Sequence, residues 1–129
     1  PDHVTVAEGT WLMDGWWYRT MNGGYLSDGW YYLFWDGRFD WYYFNEDGWM
    51  LDGWFPYGGQ TYYLHTVHDY TRGRMYTGWQ FIDGKWYYFQ TKAEGKEGQL
   101  MRDGITPSGH YVGADGVWDG VGPVPVQGS

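Results

Sequence analysis

Three groups of side chains in this chain of 129 residues have types and spacings that could do chemistry. His65, His68 and Asp69 are spaced as metal ligands can be, but no third His or Cys stands near them. They fall in the stretch HTVHDYTRG, so a solvated loop is expected and no metal site. Glu46 and Asp47 could pair as acid and base, yet Asp before Gly is what turn geometry asks for, and that dipeptide recurs along the chain. The third group is aromatic. Trp, Tyr and Phe make up 24% of the residues and recur at fixed offsets from Gly. Their ring faces attract cations, each face contributing on the order of 0.5–2 kcal/mol according to how far the cation is desolvated. No Ser-His-Asp grouping, phosphate-cradling Gly loop or calcium loop of alternating acids is present, so no catalytic residues and no cofactor are expected.

The elements that must position these rings are marked by Asp-Gly. Asp14, Asp28, Asp36, Asp47, Asp52, Asp83, Asp103, Asp115 and Asp119 each precede Gly, and between aromatic or β-branched runs this dipeptide signals a tight hairpin turn. Centring a hairpin on Asp83 and Gly84 sets Phe81 opposite Trp86 and Trp79 opposite Tyr88. The hairpin centred on Asp36 and Gly37 is four residues longer, placing Tyr32 opposite Trp41 and Trp30 opposite Tyr43. Two residues are added to each strand. Side chains alternate faces with period two, so the even extension keeps Trp30, Trp41 and Tyr43 on the faces held by Trp79, Trp86 and Tyr88.

Gly58-Gly59 turns a third hairpin, with Trp54 opposite Tyr63 and Pro56 opposite Thr61, so that Thr61 stands where the other units carry Trp41 and Trp86. The first unit turns at Asp14-Gly15, with Thr10 at the outer Trp position and Trp17 matching Trp86, an atypical end unit. A weaker last unit, ITPSGHYVGADGVWDG, puts Ile105 at the outer Trp position and Tyr111 at the inner aromatic one. The organisation expected is an irregular lead over 1–8, an array of about five hairpin units over 9–120, and an irregular tail over 121–129. The extra residues in HTVHDYTRG and QTKAEGKEG fit surface connections.

Bulk composition narrows the partners. A formal charge of −8 repels phosphate backbones, so nucleic acid is not expected, while the same field mildly favours a cationic ligand. With 22 Gly and only short apolar runs the chain has no transmembrane segment, and with no Cys it has no disulfide framework. It opens PDHVTVAEG, with neither a basic nor an apolar leader region and without an initiator Met, as a processed or truncated chain would.

The pattern GW…DGxWYYF…DGxMxxGW, strongest at GWQFIDGKWYYF and WYYFNEDGWMLDGW, resembles the choline-binding or cell-wall-binding repeats of Gram-positive surface proteins and phage lysins. The resemblance runs from Gly9 to Gly120. It implies an all-β repeat β-hairpin solenoid, a left-handed superhelix of stacked hairpins, with ligand sites between successive hairpins where two Trp and a Tyr box the trimethylammonium of choline. Carried over by position, it implies one full cage from Trp30, Trp41 and Tyr63, and a second from Trp79 and Trp86 with Tyr111. Trp54 and Trp17 each lack a companion, and those junctions are expected to be structural.

Met50, Met75 and Leu100 fall at the family's Met position and are expected to pack the stack. Tyr42, Phe44, Tyr87 and Phe89 point to the opposite face, as solenoid core. The resemblance further implies an extracellular, cell-surface location, no enzymatic activity within these residues, and choline-substituted teichoic acid or cell-wall polysaccharide as partner. Exposed aromatic boxes favour a homo-oligomer. A glucan-binding array of the glucan-binding or clostridial-toxin type, and a spacer or adhesion solenoid without a small ligand, remain alternative readings.

Overall fold

Asp or Gly with positive φ at both central positions matches the right-handed twist of two flanking strands, and three hairpins turn in this way. Asp36 and Gly37 have φ of 51° and 80°, Asp83 and Gly84 have 50° and 80°, and Gly58 and Gly59 have 58° and 80°. The computed structural model describes residues 9–12, 17–21, 23–67, 69 and 71–128. The turn expected at Asp14-Gly15, the lead over 1–8 and His68 lie outside the described residues.

Among the described residues, ten strands form five two-stranded antiparallel sheets: β1 (Gly9–Leu12) with β2 (Trp17–Thr20), β3 (Gly29–Trp35) with β4 (Arg38–Phe44), β5 (Gly53–Tyr57) with β6 (Gln60–Leu64), β7 (Gly78–Ile82) with β8 (Lys85–Phe89), and β9 (Gly104–Ile105) with β10 (Tyr111–Val112). The expected registers are observed in the second and fourth hairpins. Trp30 faces Tyr43 and Tyr32 faces Trp41, while Trp79 faces Tyr88 and Phe81 faces Trp86. Other Asp-Gly pairs do a different job. Asp28 and Asp103 take the left-handed conformation immediately before β3 and β9, where their N–H groups donate to Asn45 and Gly113 carbonyls.

Each second strand ends in the same return loop. Arg19 bridges Tyr25, Phe44 bridges Met50, Leu64 bridges Met75, Phe89 bridges Leu100 and Val112 bridges Trp118. The N–H at the second residue of each of the last three bridges reaches the preceding hairpin: Met75 donates to the Trp41 carbonyl at 3.0 Å, Leu100 to Thr61 at 2.8 Å and Trp118 to Trp86 at 2.9 Å. Stacking is therefore written into the backbone at the Met position, whatever side chain stands there. The return loop after β8 carries its insertion as a single 3-10 turn, Lys92–Glu94.

The chain divides into two compact units, Pro1–Phe55 with Tyr63–Met75, and Pro56–Tyr62 with Tyr76–Ser129. In the first, the core gathers Tyr18, Leu26, Leu33, Tyr42, Phe44 and Met50. Of these, Leu33, Tyr42 and Phe44 alternate with the ring face of β3 and β4, as period two requires, while Leu26 and Met50 lie outside the strands. In the second, Trp79, Tyr88 and Val112 form the buried centre with Trp86, Met101 and Trp118 packed on it. Met75, Leu100 and Phe89 are also buried, and Tyr87 is half-buried. The segment after Gly120 has no regular strand, but Gln127 makes a parallel bridge to Trp79 and Gly128 donates to the Trp79 carbonyl at 2.6 Å.

Candidate functional site

In the first unit, strand alternation sets Trp30 and Trp41 on one face of the β3–β4 hairpin. Trp30 meets Tyr43 edge to face at 5.4 Å, and a third ring, Phe55 of β5, closes on both, at 5.7 Å from Trp30 and 4.4 Å from Tyr43. Trp41 tilts against Tyr32 at 5.1 Å. Tyr63, expected as the third wall, stands edge to face with Trp54 at 4.9 Å, its cross-strand partner. The third hairpin thus brings Phe55 to Trp30, from the opposite face of β5 to Trp54. Trp30, Trp41 and Tyr63 are all buried, Trp41 to 4% exposure.

The second unit builds a cluster around Trp79 and Trp86. Trp79 meets Tyr88 at 5.2 Å, and Trp86 tilts against Phe81 at 5.2 Å. The ring arriving from the last unit is His110, 5.3 Å from Trp79 and 5.7 Å from Trp118. Tyr111 lies opposite Ile105 instead, with both exposed, Tyr111 at 41%. Trp86 and Trp118 are half-buried, so this cluster keeps indole surface open.

Hydrogen bonds fix these rings. The Trp79 indole N–H donates to Ser108 Oγ at 3.1 Å, Ser108 Oγ lies 2.7 Å from His110 Nδ1, and His110 Nε2 lies 2.6 Å from the Pro123 carbonyl. A carbonyl only accepts, so Nε2 carries a proton, and in the neutral ring Nδ1 accepts from Ser108. Tyr88 donates to Glu94 Oε1 at 2.6 Å, and burial together with that carboxylate raises the phenol above its ordinary range. Trp118 donates to the Val121 carbonyl at 3.2 Å.

Two junctions differ. Thr61 stands in the register of the missing inner Trp, and its hydroxyl accepts from Arg102 Nη2 at 2.7 Å. Trp17 calls for a correction. Counted from the turn, its pairing with Leu12 matches Trp86 with Phe81. Counted from the return loop, Arg19 takes the place of Phe44 and Phe89, which moves Trp17 to the register of Tyr42 and Tyr87. One residue fewer separates turn from loop in this unit, and an odd change flips the face. Trp17 there meets Tyr25 at 5.0 Å and Trp49 at 4.8 Å.

Beside the first cluster lies a buried ionic group on the other face of β4. Asp40 is 2.6 Å from Arg38 Nε and 2.8 Å from Arg74 Nε. Burial raises the Asp40 carboxyl, and the two guanidinium groups oppose that rise. His65 is half-buried rather than solvated; burial and the nearby Arg74 charge lower its pKa to about 4. No group of three or more metal-ligating side chains occurs among the described residues.

Seven rings described in the clusters are not among the site residues that the sequence marks: the cross-strand partners Tyr32, Tyr43, Phe81 and Tyr88, and Phe55, His110 and Trp118 from neighbouring elements. Trp118 has a legible signal, since DGVW at 115–118 repeats DGWM at 47–50 and puts Trp118 at the Met position. Phe55 has none, because its neighbour Trp54 carries the motif while Phe55 faces the other way.

Repeated hairpins with paired Trp and Tyr on one face define a hairpin-repeat module with aromatic clusters as its candidate sites. A cell wall binding repeat model matches residues 40–50 and 77–92. The choline binding domain of Spr1274 from Streptococcus pneumoniae is 34% identical, with a TM-score of 0.50, covering 61% of this chain and 83% of that one. The chain belongs to the cell wall binding, or choline-binding, repeat family. It is also similar to the Cpl-1 endolysin solved with a peptidoglycan analogue, at 28% identity and a TM-score of 0.58 over 82% of this chain. The pneumococcal cell wall endolysin from phage Cp-1 solved with choline is 25% identical, with a TM-score of 0.55 over the same share. The chain spans 28% of the length of those endolysins. No curated protein matches it. The fold is accordingly the all-β hairpin solenoid of that family. No helix among the described residues is long and apolar enough to cross a membrane.

Proposed function

We propose that this chain is a non-catalytic attachment module that holds its parent protein to a Gram-positive cell envelope by gripping choline on teichoic acids. The observation that carries the reading is the second cluster, where Trp79 and Trp86 share one face and Trp118 and His110 stand beside them. A quaternary ammonium cannot donate a hydrogen bond, so in a polar solvent it gains most from several ring faces at once. The net charge of −8 favours a cation over a neutral or anionic ligand. Choline bound by a relative supports the same class of ligand here.

The residues assigned to the first site are Trp30, Trp41 and Tyr63, with Tyr43 and Phe55 as added walls. Those assigned to the second are Trp79 and Trp86, with Trp118 and His110 in place of Tyr111. Because Trp86 keeps open surface while Trp41 is covered, the second site is the more accessible one. The array over 9–120 acts as one binding region, and its place is the outside of the cell.

Titration of the intrinsic Trp fluorescence with choline tests this. Saturation is expected in the millimolar range, as two or three ring faces provide. Trp86→Ala should abolish most of the response and Trp41→Ala a smaller part. A flat titration, or one identical in Trp86→Ala, would sink the reading. Saturation by dextran in its place would identify a glucan-binding array.

A further inference from the structure

The segment 121–128 forms no regular strand, yet it is tied to the second aromatic cluster at three ring residues. Trp118 donates its indole N–H to the Val121 carbonyl at 3.2 Å, and His110 Nε2 donates to the Pro123 carbonyl at 2.6 Å. Further along, Gln127 makes a parallel bridge to Trp79, and the Gly128 N–H donates to the Trp79 carbonyl at 2.6 Å. Trp79, His110 and Trp118 thus each have a partner in one short stretch of chain, laid along the edge of β7 that β8 leaves open.

The docking is close and specific. Gln80 is buried, and while its amide N–H donates to the Thr77 carbonyl at 2.9 Å, its side-chain oxygen accepts from Gln127 Nε2, so the segment satisfies a buried acceptor of β7. Gly128 lies so near the strand that a Cβ on it would fall 2.7 Å from the Thr77 carbonyl oxygen and 2.9 Å from Gly78 Cα. Pro125 is buried between exposed Val124 and Val126. Pro123 and Pro125 also fix φ, which removes freedom from the undocked segment and lowers the entropy lost when it docks. The last hairpin shows why such a segment is needed. The first cluster receives Phe55 from strand β5, of five residues, whereas β9 and β10 have two residues each and bring His110 and Trp118 on the loops that flank β10. Ser108 holds one ring nitrogen of His110; the segment holds the other, and the single N–H of Trp118.

We infer that residues 121–128 are a positioning strap for the second ammonium site: docked on β7, the strap fixes His110 and Trp118 beside Trp79 before any ligand arrives. The inference rests on the reading of that cluster as a choline site. Ring faces give affinity only in excess of what it costs to immobilise the rings, so a cage whose rings are already held binds more tightly than one that must order them. Gln127 and Gly128 anchor the strap and act through the rings, as positioning residues. Linkage makes the effect reciprocal: a ligand that binds better to the strapped cluster holds the strap down by the same factor.

Gly128→Val, for which the backbone of β7 leaves no room, lifts the strap in the intact chain without touching a ring. Choline titrations followed by Trp fluorescence are made with this substitution in Trp41→Ala, where the second site is left to respond, and in Trp86→Ala, where the first is. In Trp41→Ala it should weaken choline binding by about tenfold, and in Trp86→Ala it should change nothing. Hydrogen exchange of the Gly128 amide, read by NMR, needs no substitution in the strap: saturating choline should slow it by a similar factor in the parent and leave it unaltered in Trp86→Ala. Unchanged affinity in Trp41→Ala/Gly128→Val, or a Gly128 amide in the parent whose exchange ignores choline, would overturn the strap. Equal weakening in both backgrounds would do the same, since Gly128→Val would then act on the fold at large. A parent with no choline response would remove the ammonium reading and the strap with it, an outcome distinct from a parent that binds choline whether or not the strap is docked.

Discussion

At the scale of single residues, the glycines of two return loops, Gly73 and Gly116, set how closely one repeat lies on the one before it. Gly73 has φ of +80°, and a Cβ added there would fall 2.2 Å from Met50 Sδ. Gly116 stands over Leu100 in the same relation, at 2.8 Å. The side chain at the Met position therefore fills the space that a missing Cβ leaves, which explains why Gly and Met recur together in the motif. Gly37 offers a comparison, because it shares a φ of +80° but a methyl added to it would meet nothing within 4 Å. Gly37→Ala should cost about 1–2 kcal/mol from the left-handed backbone alone. Gly73→Ala should cost about 2–4 kcal/mol, since overpacking against Met50 is added to that strain. Urea unfolding of the two variants reads the difference directly. Equal losses would show that Met50 swings clear and that the contact does not set the repeat spacing.

At the scale of elements, the hairpins are legible in the sequence and the loops between them much less so. Turn chemistry fixes register within a hairpin, so Asp36-Gly37 and Asp83-Gly84 are enough to pair Trp30 with Tyr43 and Trp79 with Tyr88. What one hairpin presents to the next depends on the return loop, and turn-centred counting does not see it. Such counting sets Trp17 by its turn rather than by its return loop, and passes over Phe55 beside Trp30 and Trp118 and His110 beside Trp79. The loop after β6 shows the same limit. His65 reads as solvated in HTVHDYTRG, but the chain folds it back, its N–H donating to Arg74 and its carbonyl accepting from Gly73.

That burial has a pH signature. A histidine held near pKa 4 in the fold, against 6.5 when unfolded, leaves the unfolded state to bind the proton first as pH falls. Stability should therefore be full above 6.5, fall by up to one proton's linkage per pH unit between 6.5 and 4, and level off below 4. His65→Gln should remove that part of the slope. Denaturation midpoints at pH 7.5 and 5, compared between parent and variant, check it. Parallel pH profiles would mean that His65 protonates in place.

At the scale of the whole molecule, the two clusters matter more together than either does alone. Each compact unit holds one proposed ammonium site, built from its own residues, and each site offers only two or three ring faces. Affinity for a free choline is then about millimolar at best. A teichoic acid chain carries its ligand many times over, so a second site engages at an effective concentration set by the polymer, and retention can exceed single-site affinity by about a hundredfold or more. A weak cage is in this sense a workable design: the attachment holds on a decorated surface yet is displaced by enough free ligand.

The test is retention on a choline-substituted matrix, eluted with a gradient of free choline. The parent should elute last, Trp41→Ala and Trp86→Ala each earlier, with Trp86→Ala the earlier of the two because its cluster is the more open. The double variant should pass in the void while keeping the parent's far-ultraviolet spectrum. Were one single variant to match the double, only one site would be functional, and attachment would need a property other than the pairing of clusters. Were the double variant retained as the parent is, the matrix would be held by charge alone. Adding salt separates that outcome, because exposed charges are screened beyond about 8–10 Å at physiological ionic strength while enclosed ring faces are not.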